Sequence, residues 1–480
     1  MRFFFPILFL WLVAQTFYFG AFGPDIGFVK AIRPHRVLYI LTLVSFLVPY
    51  LRARRVCRRK LEKQDYLMLA VTLSCTISFI VSGAHYDTTV GKNKWLSCLF
   101  NITYYPLTTY FMMRALPYSR QNVMSVMKFL CMLGVYLSLT GVFEHFSWTA
   151  GLVWPDYIMD DQLGTQFGRS RGPFMESVAM GRVLTMALGA FLIMNARSIG
   201  LKAAFYKTFV LISLVAVYYT YTRGPWIGCG CLLIAFALHK TVERRMVKTI
   251  LIIAMVAVFS GGLGKLSVFG GSLFGQRQST FTDRVVTWIV SGNMIQDKPL
   301  LGVGFGRFHL DWEKYFHYNA KIDFTGFDGS HNTFLTMGAE VGIPTMLAFL
   351  LMNFYMVRMC STLYQRLGPE MQLEKSLLVM VMGLVSMYVV TGWFSDLRWT
   401  TVQNTLIFLL LGLVASLKQD LDRLGAKAFA KQIGASRPVG EAKASPGGPR
   451  SAPETAPGWD FPGVPRPSPA AQSQGFGESL

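Results

Sequence analysis

Apolar runs of roughly 15–25 residues recur along this chain, and they constrain its fold more than any other feature. A run of this length crosses a hydrocarbon core of about 30 Å as an α-helix. Apolar residues make up 52% of the 480 residues and charged residues only 15%, which is too apolar for a soluble protein of this size. A transmembrane β-barrel would instead show alternating segments of about 10 residues, and the sequence has none. The pattern therefore predicts an all-α polytopic membrane protein.

Twelve such runs are the predicted transmembrane spans, and between spans 9 and 10 lies a polar connection far longer than the others, residues 263–332. The spans are 3–21, 37–51, 66–83, 95–113, 124–144, 178–196, 206–222, 225–239, 248–262, 333–357, 376–394 and 402–417.

The basic residues are distributed unevenly among the connections between these spans. Connection 52–65 carries seven lysines and arginines, which predicts a cytoplasmic location. Counting spans from there places every second connection on the same side, and those connections are also rich in Lys and Arg: 114–123, 197–205, 240–247 and 358–375. Connection 22–36 is the exception, since it is basic but falls outside. The net charge of +20 thus indicates orientation in the bilayer, not nucleic-acid binding, and both termini are predicted to be cytoplasmic.

Three regions follow from this pattern. Residues 1–150 are predicted to be N-terminal membrane helices, and residues 151–433 a membrane core that includes the long outer loop 263–332. Residues 434–480 are rich in Pro, Gly, Ala and Ser and have no apolar periodicity. Such a segment buries too little apolar surface to offset its ordering entropy. It is predicted to be a disordered cytoplasmic tail.

Two weaker patterns are interpreted as structural. The glycines of Gly302-x-Gly304-x-Gly306 resemble a nucleotide-binding loop, but no strand–helix unit surrounds them, so a turn is predicted. Six of the seven cysteines lie in or at the ends of apolar spans, which indicates neither a disulfide framework nor a metal site. No metal or cofactor is expected.

Arginines gather on the predicted outer side, where cations are not expected. One arginine alone would be interpreted as an interfacial anchor, but several from separate connections, one of them at membrane depth, favour a functional site. Guanidinium groups bind phosphate oxygens bidentately, and the diphosphate of a lipid-linked molecule would lie at this depth. The candidate residues are Arg169, Arg171, Arg182, Arg223 and Arg284.

His331 immediately precedes span 10, whose N-terminus points outward. The positive end of the helix dipole favours the neutral imidazole, which can act as a general base beside an anionic leaving group. Asn332 is expected to orient the ring or a substrate hydroxyl, and Glu340, about two turns deeper, to belong to the same network. Asp283 precedes Arg284 in Thr282-Asp283-Arg284, which is predicted to be a helix N-cap.

Taken together, these segments resemble the O-antigen ligase and O-antigen polymerase family over about residues 206–350. Arg169 and Arg171, before Gly172-x-Phe174, match a further upstream motif more loosely. The matching segments are Thr222-Arg223-Gly224, Asp283-Arg284 with Trp288, Pro299-Leu300-Leu301-Gly302-Val303-Gly304-Phe305-Gly306, His331-Asn332-x-Phe334-Leu335 and Glu340-x-Gly342-Ile343-Pro344.

The resemblance implies a metal-independent glycosyltransferase of the bacterial inner membrane. It would transfer a glycan from undecaprenyl diphosphate to a hydroxyl of a glycan, lipid or protein acceptor at the periplasmic face. Arg223 and Arg284 would hold the diphosphate, and His331 would act on the acceptor. Thr345 stands where the family often has a second glycine, and the arginine-to-glycine spacing typical of polymerases is absent. O-antigen ligase, exopolysaccharide polymerase and protein-glycan ligase therefore all stay open.

A transporter or flippase for lipid-linked glycans is the alternative. It would also need many spans and interior arginines. Such transporters, however, often show matched halves or paired broken helices, and here the two halves differ and the charges gather on one side.

Overall fold

The computed structural model describes residues 3–17, 34–52, 60–83, 94–163, 168–257, 277–316, 329–425, 428, 429 and 431. All regular secondary structure within these residues is helical. The α-helices are, in chain order, α1 (Phe4–Thr16), α2 (Pro34–Arg52), α3 (Lys63–Ser82), α4 (Lys94–Leu99), α5 (Tyr105–Ala115), α6 (Arg120–Phe143), α7 (Ser177–Asn195), α8 (Leu201–Tyr219), α9 (Arg223–Leu238), α10 (Arg244–Ala257), α11 (Arg277–Asp297), α12 (Phe308–Tyr315), α13 (Thr333–Val341), α14 (Ile343–Arg366), α15 (Gln372–Gly392) and α16 (Thr401–Leu424).

Eight of these helices are long and apolar enough to cross a membrane: α2, α3, α6, α7, α8, α14, α15 and α16. Helices α1 and α9 are apolar but shorter. A π-helical turn over Phe100–Tyr104 joins α4 to α5. Each of the twelve predicted spans overlaps a helix, so the polytopic helical class is confirmed, while the number twelve stays a prediction. The predicted tail, residues 434–480, lies outside the described residues.

The core of the bundle is formed by helices that are apolar on every side. Nearly all of α7 is buried, as is most of α15 and α16, whereas α2, α3 and α8 leave most of their surface exposed. Close packing between helices depends on small residues. At Gly383 of α15, an added Cβ would lie 2.9 Å from the Cα of Leu232 in α9. The exposed apolar helices are therefore those expected to face lipid.

Ion pairs join the basic connections to one another. Arg120 pairs with Glu374 at 2.7 Å, and Arg197 pairs with Glu243 at 3.3 Å. The hydroxyl of Ser376 donates to Glu243 at 2.9 Å and so joins the two pairs. The four basic connections after α5 thus meet at one end of the bundle, which is what the predicted alternation of spans requires.

The connections predicted to be outside meet at the opposite end. The hydroxyls of Ser177 and Thr222 lie 2.8 Å apart, which joins the start of α7 to the residue before α9. The hydroxyl of Thr333, at the start of α13, donates to the carbonyl of Ser395 at 2.9 Å. This end of the bundle carries the predicted site residues.

The sequence predicts a single helix over 333–357, and this prediction is wrong. The helix is interrupted at Gly342, whose φ is 94°. An added Cβ there would lie 2.1 Å from the carbonyl oxygen of Leu300. The amide of Ile343 donates to Pro299 instead of to its own helix, and Pro344, which has no N–H, suits the first turn of α14. Helix α13 is therefore a separate nine-residue element.

The long polar connection contains two helices, α11, at the position where the N-cap prediction expects a helix, and α12, which was not predicted. Residues 258–276 and 317–328 of this connection lie outside the described residues. The prediction of a helix N-cap at Thr282-Asp283-Arg284 is wrong, because α11 begins at Arg277. No glycine or proline lies between Arg277 and Asp283 to stop the helix.

Candidate active site

His331 occupies a rigid turn directly before α13. Its φ is 54°, a left-handed conformation that is uncommon for residues other than glycine. Asn332 caps the helix, since its side-chain oxygen accepts hydrogen bonds from the amides of Phe334 and Leu335 at 3.0 and 3.1 Å. The side chain of Asn332 is buried, whereas that of His331 is exposed. The backbone is thus fixed while the imidazole faces outward.

Arg284 lies close to this turn. Thr287 follows it by one turn on the same face of α11 and donates to the carbonyl of Ser330 at 3.2 Å. Residues three apart on a helix are neighbours on its surface. The structure therefore brings the part of α11 that carries Arg284 beside the residue that precedes His331.

Arg223 lies near Arg284, as the first residue of α9. Burial lowers the pKa of the Arg284 guanidinium, and the positive charge of Arg223 lowers it further. Among the described carboxylates, none forms an ion pair with Arg284. Two guanidinium groups that repel each other favour an anion between them. The pair is suited to bind phosphate oxygens.

A buried ion triad supports the turn from below. Arg398 contacts Glu340 and Asp396, each at 2.6 Å, and at most 4% of each of the three side chains is exposed. At Gly329, an added Cβ would lie 2.7 Å from a nitrogen of Arg398 and 2.9 Å from an oxygen of Asp396. The triad therefore forms the surface on which residues 329–331 lie.

Sequence reasoning missed Arg398. Burial alone would lower its pKa, but Asp396 and Glu340 raise the pKa above the ordinary value for arginine. A signal was available, because Arg398 is an arginine in a short connection on the predicted outer side. Such an arginine is typical, however, of an interfacial anchor, and the sequence separation of 58 positions between Glu340 and Arg398 conceals their contact.

Glu340 also joins α13 to the glycine-rich segment 302–306. One carboxylate oxygen accepts from the amide of Phe308 at 3.2 Å, and its backbone carbonyl accepts from the amide of Gly304 at 2.9 Å. All three glycines of this segment have positive φ values. The predicted turn is confirmed, and Glu340 lies beneath the site with its carboxylate directed to Arg398 and Phe308.

Arg182 is buried on the second turn of α7. One nitrogen donates to the hydroxyl of Ser395 and, at 3.4 Å, to the carbonyl of Thr391. Its Nε and second terminal nitrogen make no hydrogen bond to a described group. Arg182 thus holds in place the segment that Thr333 also contacts, and it retains donor capacity.

Arg171 organises the segment that leads into α7. Its guanidinium donates to the carbonyls of Ile158, Asp160 and Leu163 at 2.7–3.0 Å, and Glu144 accepts from its backbone amide at 2.8 Å. The structure therefore places this guanidinium among protein carbonyls.

The remaining predicted residues are Arg169 and Asp283. Arg169 is half-buried in the segment before α7. Asp283 belongs to α11, but its side chain lies outside the described part of the structure. Within that part, no group of three or more His, Cys, Asp or Glu side chains is placed to hold a metal ion.

These features define a polytopic membrane protein with a candidate site that contains Arg223, Arg284 and His331 at one end of its helical bundle. Residues 208–350 match the family model described as O-Antigen ligase. The match confirms the resemblance to the O-antigen ligase and polymerase family over this segment. The segment contains Arg223, Arg284 and His331. No curated protein matches the chain.

Proposed function

We propose that this protein transfers a glycan from undecaprenyl diphosphate to an acceptor hydroxyl at the periplasmic face of the bacterial inner membrane. The observation that carries this proposal is the proximity of Arg223 to Arg284, two guanidinium groups from separate elements that act electrostatically on one another. Like charges at the end of a membrane helix call for a bound anion. A diphosphate supplies enough oxygens for both arginines, and its lipid would remain in the bilayer.

In the proposed reaction, the acceptor oxygen attacks the anomeric carbon of the donor sugar and its configuration inverts. The bond from that carbon to the diphosphate oxygen breaks, and its electrons leave with the lipid diphosphate. Arg223 and Arg284 stabilise the negative charge that develops on the leaving group. His331 accepts the proton of the acceptor hydroxyl, and its exposed ring in a fixed turn suits this role.

The test is transfer in proteoliposomes that contain an undecaprenyl-diphosphate-linked oligosaccharide and a candidate acceptor. Lysine keeps the charge of arginine but loses the bidentate geometry, so Arg223→Lys and Arg284→Lys should each abolish most transfer. Arg358 is an exposed arginine near the other end of α14, and Arg358→Lys is the matched control. Full activity of both lysine variants at the site would refute the diphosphate assignment.

His331 is tested in the same assay. General-base catalysis contributes about 10²–10⁴-fold, so His331→Ala should lose transfer by about that factor while still binding the donor lipid. His331→Gln should be nearly as inactive, because glutamine cannot accept the proton. His239, at the opposite end of the bundle beside Tyr364, provides the control His239→Gln. If His331→Gln recovers most activity, His331 only positions the acceptor.

The membrane side is tested separately with topology reporters. A reporter fused after residue 319 should be periplasmic, and one after Leu424 should be cytoplasmic. If the reporter after residue 319 is cytoplasmic, the proposed site faces the cytoplasm and the proposal is refuted. Movement of the lipid-linked glycan across the bilayer without any transfer would instead support a flippase.

A further inference from the structure

A cavity lies beside the candidate active site, where the outer ends of α1, α7 and α16 meet. Its volume is about 120 Å³, several times the roughly 10–15 Å³ that a single water requires. Its walls include Gln15 from α1, Glu176 directly before α7, and Gln403 in the first turn of α16. None of these residues belongs to the site described above.

Two glutamine side chains in this cavity make no side-chain hydrogen bond within the described part of the structure. Gln403 is 1% exposed, and neither its amide nitrogen nor its amide oxygen makes a hydrogen bond to a described group. The same is true of both polar atoms of the Gln15 amide. An unpaired buried amide costs about 1–3 kcal/mol, so two around one cavity are expected to serve a ligand.

The polar atoms select for the chemistry of that ligand. Each amide offers two donors and one acceptor, and the Glu176 carboxyl adds acceptor capacity. A hydroxyl group, which both donates and accepts, satisfies such a mixture. Burial raises the pKa of Glu176, while Arg182 lowers it. Among the described residues that line the cavity, Glu176 is the one charged group, so the lining disfavours an anion, and its mixture of donors and acceptors favours a neutral polyol.

The apolar part of the wall is aromatic. Phe17, Phe174 and Trp399 line the cavity together with the two amides. Ligand sites commonly combine aromatic walls with a few placed polar groups. Pyranose rings match this arrangement, because they present apolar C–H faces to the aromatic rings and hydroxyls at the edge to the amides.

The cavity is also joined to the proposed diphosphate site through the chain. Glu176 directly precedes Ser177, whose hydroxyl lies 2.8 Å from that of Thr222, and Thr222 directly precedes Arg223. Trp399 belongs to the same connection as Ser395, which contacts Arg182 and Thr333. A saccharide bound here would therefore lie along the elements that carry the proposed chemistry.

We infer that the cavity between Gln15, Glu176 and Gln403 is a saccharide-binding subsite that holds one neutral pyranose ring of the glycan substrate. This inference rests on the proposed function. It adds a place where the glycan itself is recognised, in addition to the groups that hold the diphosphate and the acceptor proton.

The test uses Gln403→Leu in the full-length protein in nanodiscs. Leucine fills a similar volume and removes an unpaired amide, so the thermal midpoint of unfolding should stay constant or rise. The KM for the glycan substrate should rise about tenfold, as expected for the loss of one or two hydrogen bonds. Asn195 also has a buried amide oxygen that accepts no hydrogen bond from a described group, but at the opposite end of α7. Asn195→Leu is therefore the matched control, with an unchanged KM.

A binding measurement separates this inference from the proposed function. Saturation-transfer NMR with the methyl glycosides of glucose, galactose, mannose and N-acetylglucosamine needs no catalysis. At least one glycoside should give a signal with wild type and Asn195→Leu and lose it with Gln403→Leu. If wild type transfers no glycan but this pattern holds, the proposed reaction fails and the subsite stands. If wild type transfers glycan but Gln403→Leu changes neither KM nor the NMR signal, the cavity holds only water and the inference is overturned.

Discussion

Replacement of Arg398 by methionine tests the support beneath the candidate site. The guanidinium of Arg398 contacts Glu340 and Asp396, each at 2.6 Å, and lies over the rings of Trp95 and Phe305. Methionine occupies a similar volume without charge. The variant Arg398→Met leaves two carboxyl groups in a buried site without their cation.

The expected magnitude follows from burial. Removing one partner of a buried ion pair costs about 3–5 kcal/mol, because the remaining charge is left uncompensated. Arg366 and Asp422 form a pair at the same distance, 2.6 Å, but each is about 40% exposed. An exposed pair contributes about 0–1 kcal/mol. Arg366→Met is therefore the matched control, and the free energies of unfolding of the two variants should differ by at least about 2 kcal/mol.

The assay is equilibrium unfolding of the purified protein in detergent, followed with a thiol-reactive dye. The buried thiols of the described residues form no disulfide, so they react only when the bundle opens; they are Cys75, Cys98, Cys131, Cys229 and Cys360. Transfer activity should be measured alongside unfolding, since Gly329 rests against the triad and a displaced turn would move His331.

The pH dependence provides an independent check. Burial raises the pKa of Glu340, and Arg398 lowers it, so removing Arg398 should raise it further. A carboxyl group with a raised pKa in the folded state contributes stability at acidic pH, and this stability is lost as the pH rises through that pKa. The free energy of unfolding of Arg398→Met should therefore fall further below that of wild type as the pH rises. The reasoning is refuted if Arg398→Met is as stable as Arg366→Met at neutral pH.

Three further predictions concern a glycine with positive φ, a buried carboxyl group and a helix N-cap. Gly342→Ala should strongly destabilise the protein, because its φ is 94° and an added Cβ would lie 2.1 Å from Leu300, whereas Gly230→Ala, with open space around it, should be tolerated in the same unfolding assay. Burial raises the pKa of Glu144 to about 7, so wild type should lose stability relative to Glu144→Gln as the pH rises through about 7; parallel stability curves would contradict this. Asn332→Ala removes a helix N-cap and should cost about 0.5–2 kcal/mol of unfolding free energy.

Much of the fold follows from apolar runs and the distribution of basic residues. Run length predicts the helices, and the basic connections predict which ends meet, as the contacts of Glu374 and Glu243 at one end illustrate. The break at Gly342 was also present in the sequence, as a glycine two residues before a proline. Hydropathy does not reveal such a break, because it indicates whether a segment is buried and not where the helix axis changes direction.

Some features of the candidate site could also be predicted from the sequence, and others could not. The types of residue expected to hold an anion, Arg223 and Arg284, lie near one another as the sequence suggests. The roles of Arg171 and Arg398 depend on contacts with carbonyls and carboxylates of other segments, which no local pattern encodes. The sequence predicts that Asn332 orients the His331 ring or a substrate hydroxyl. In the structure its side-chain oxygen accepts a hydrogen bond from the amide of Phe334 and caps α13.

The contacts of Ser395 with Arg182 and Thr333 also bear on how the protein is made. Chains are synthesised from the N-terminus, so Arg182 and Thr333 are both translated before Ser395. A nascent chain that stops before Ser395 has Arg182 and Thr333 but lacks the residue that contacts both. Assembly of these contacts therefore waits until Ser395 has been translated, and fragments that end before it would carry Arg182 and Thr333 without the residue that contacts both.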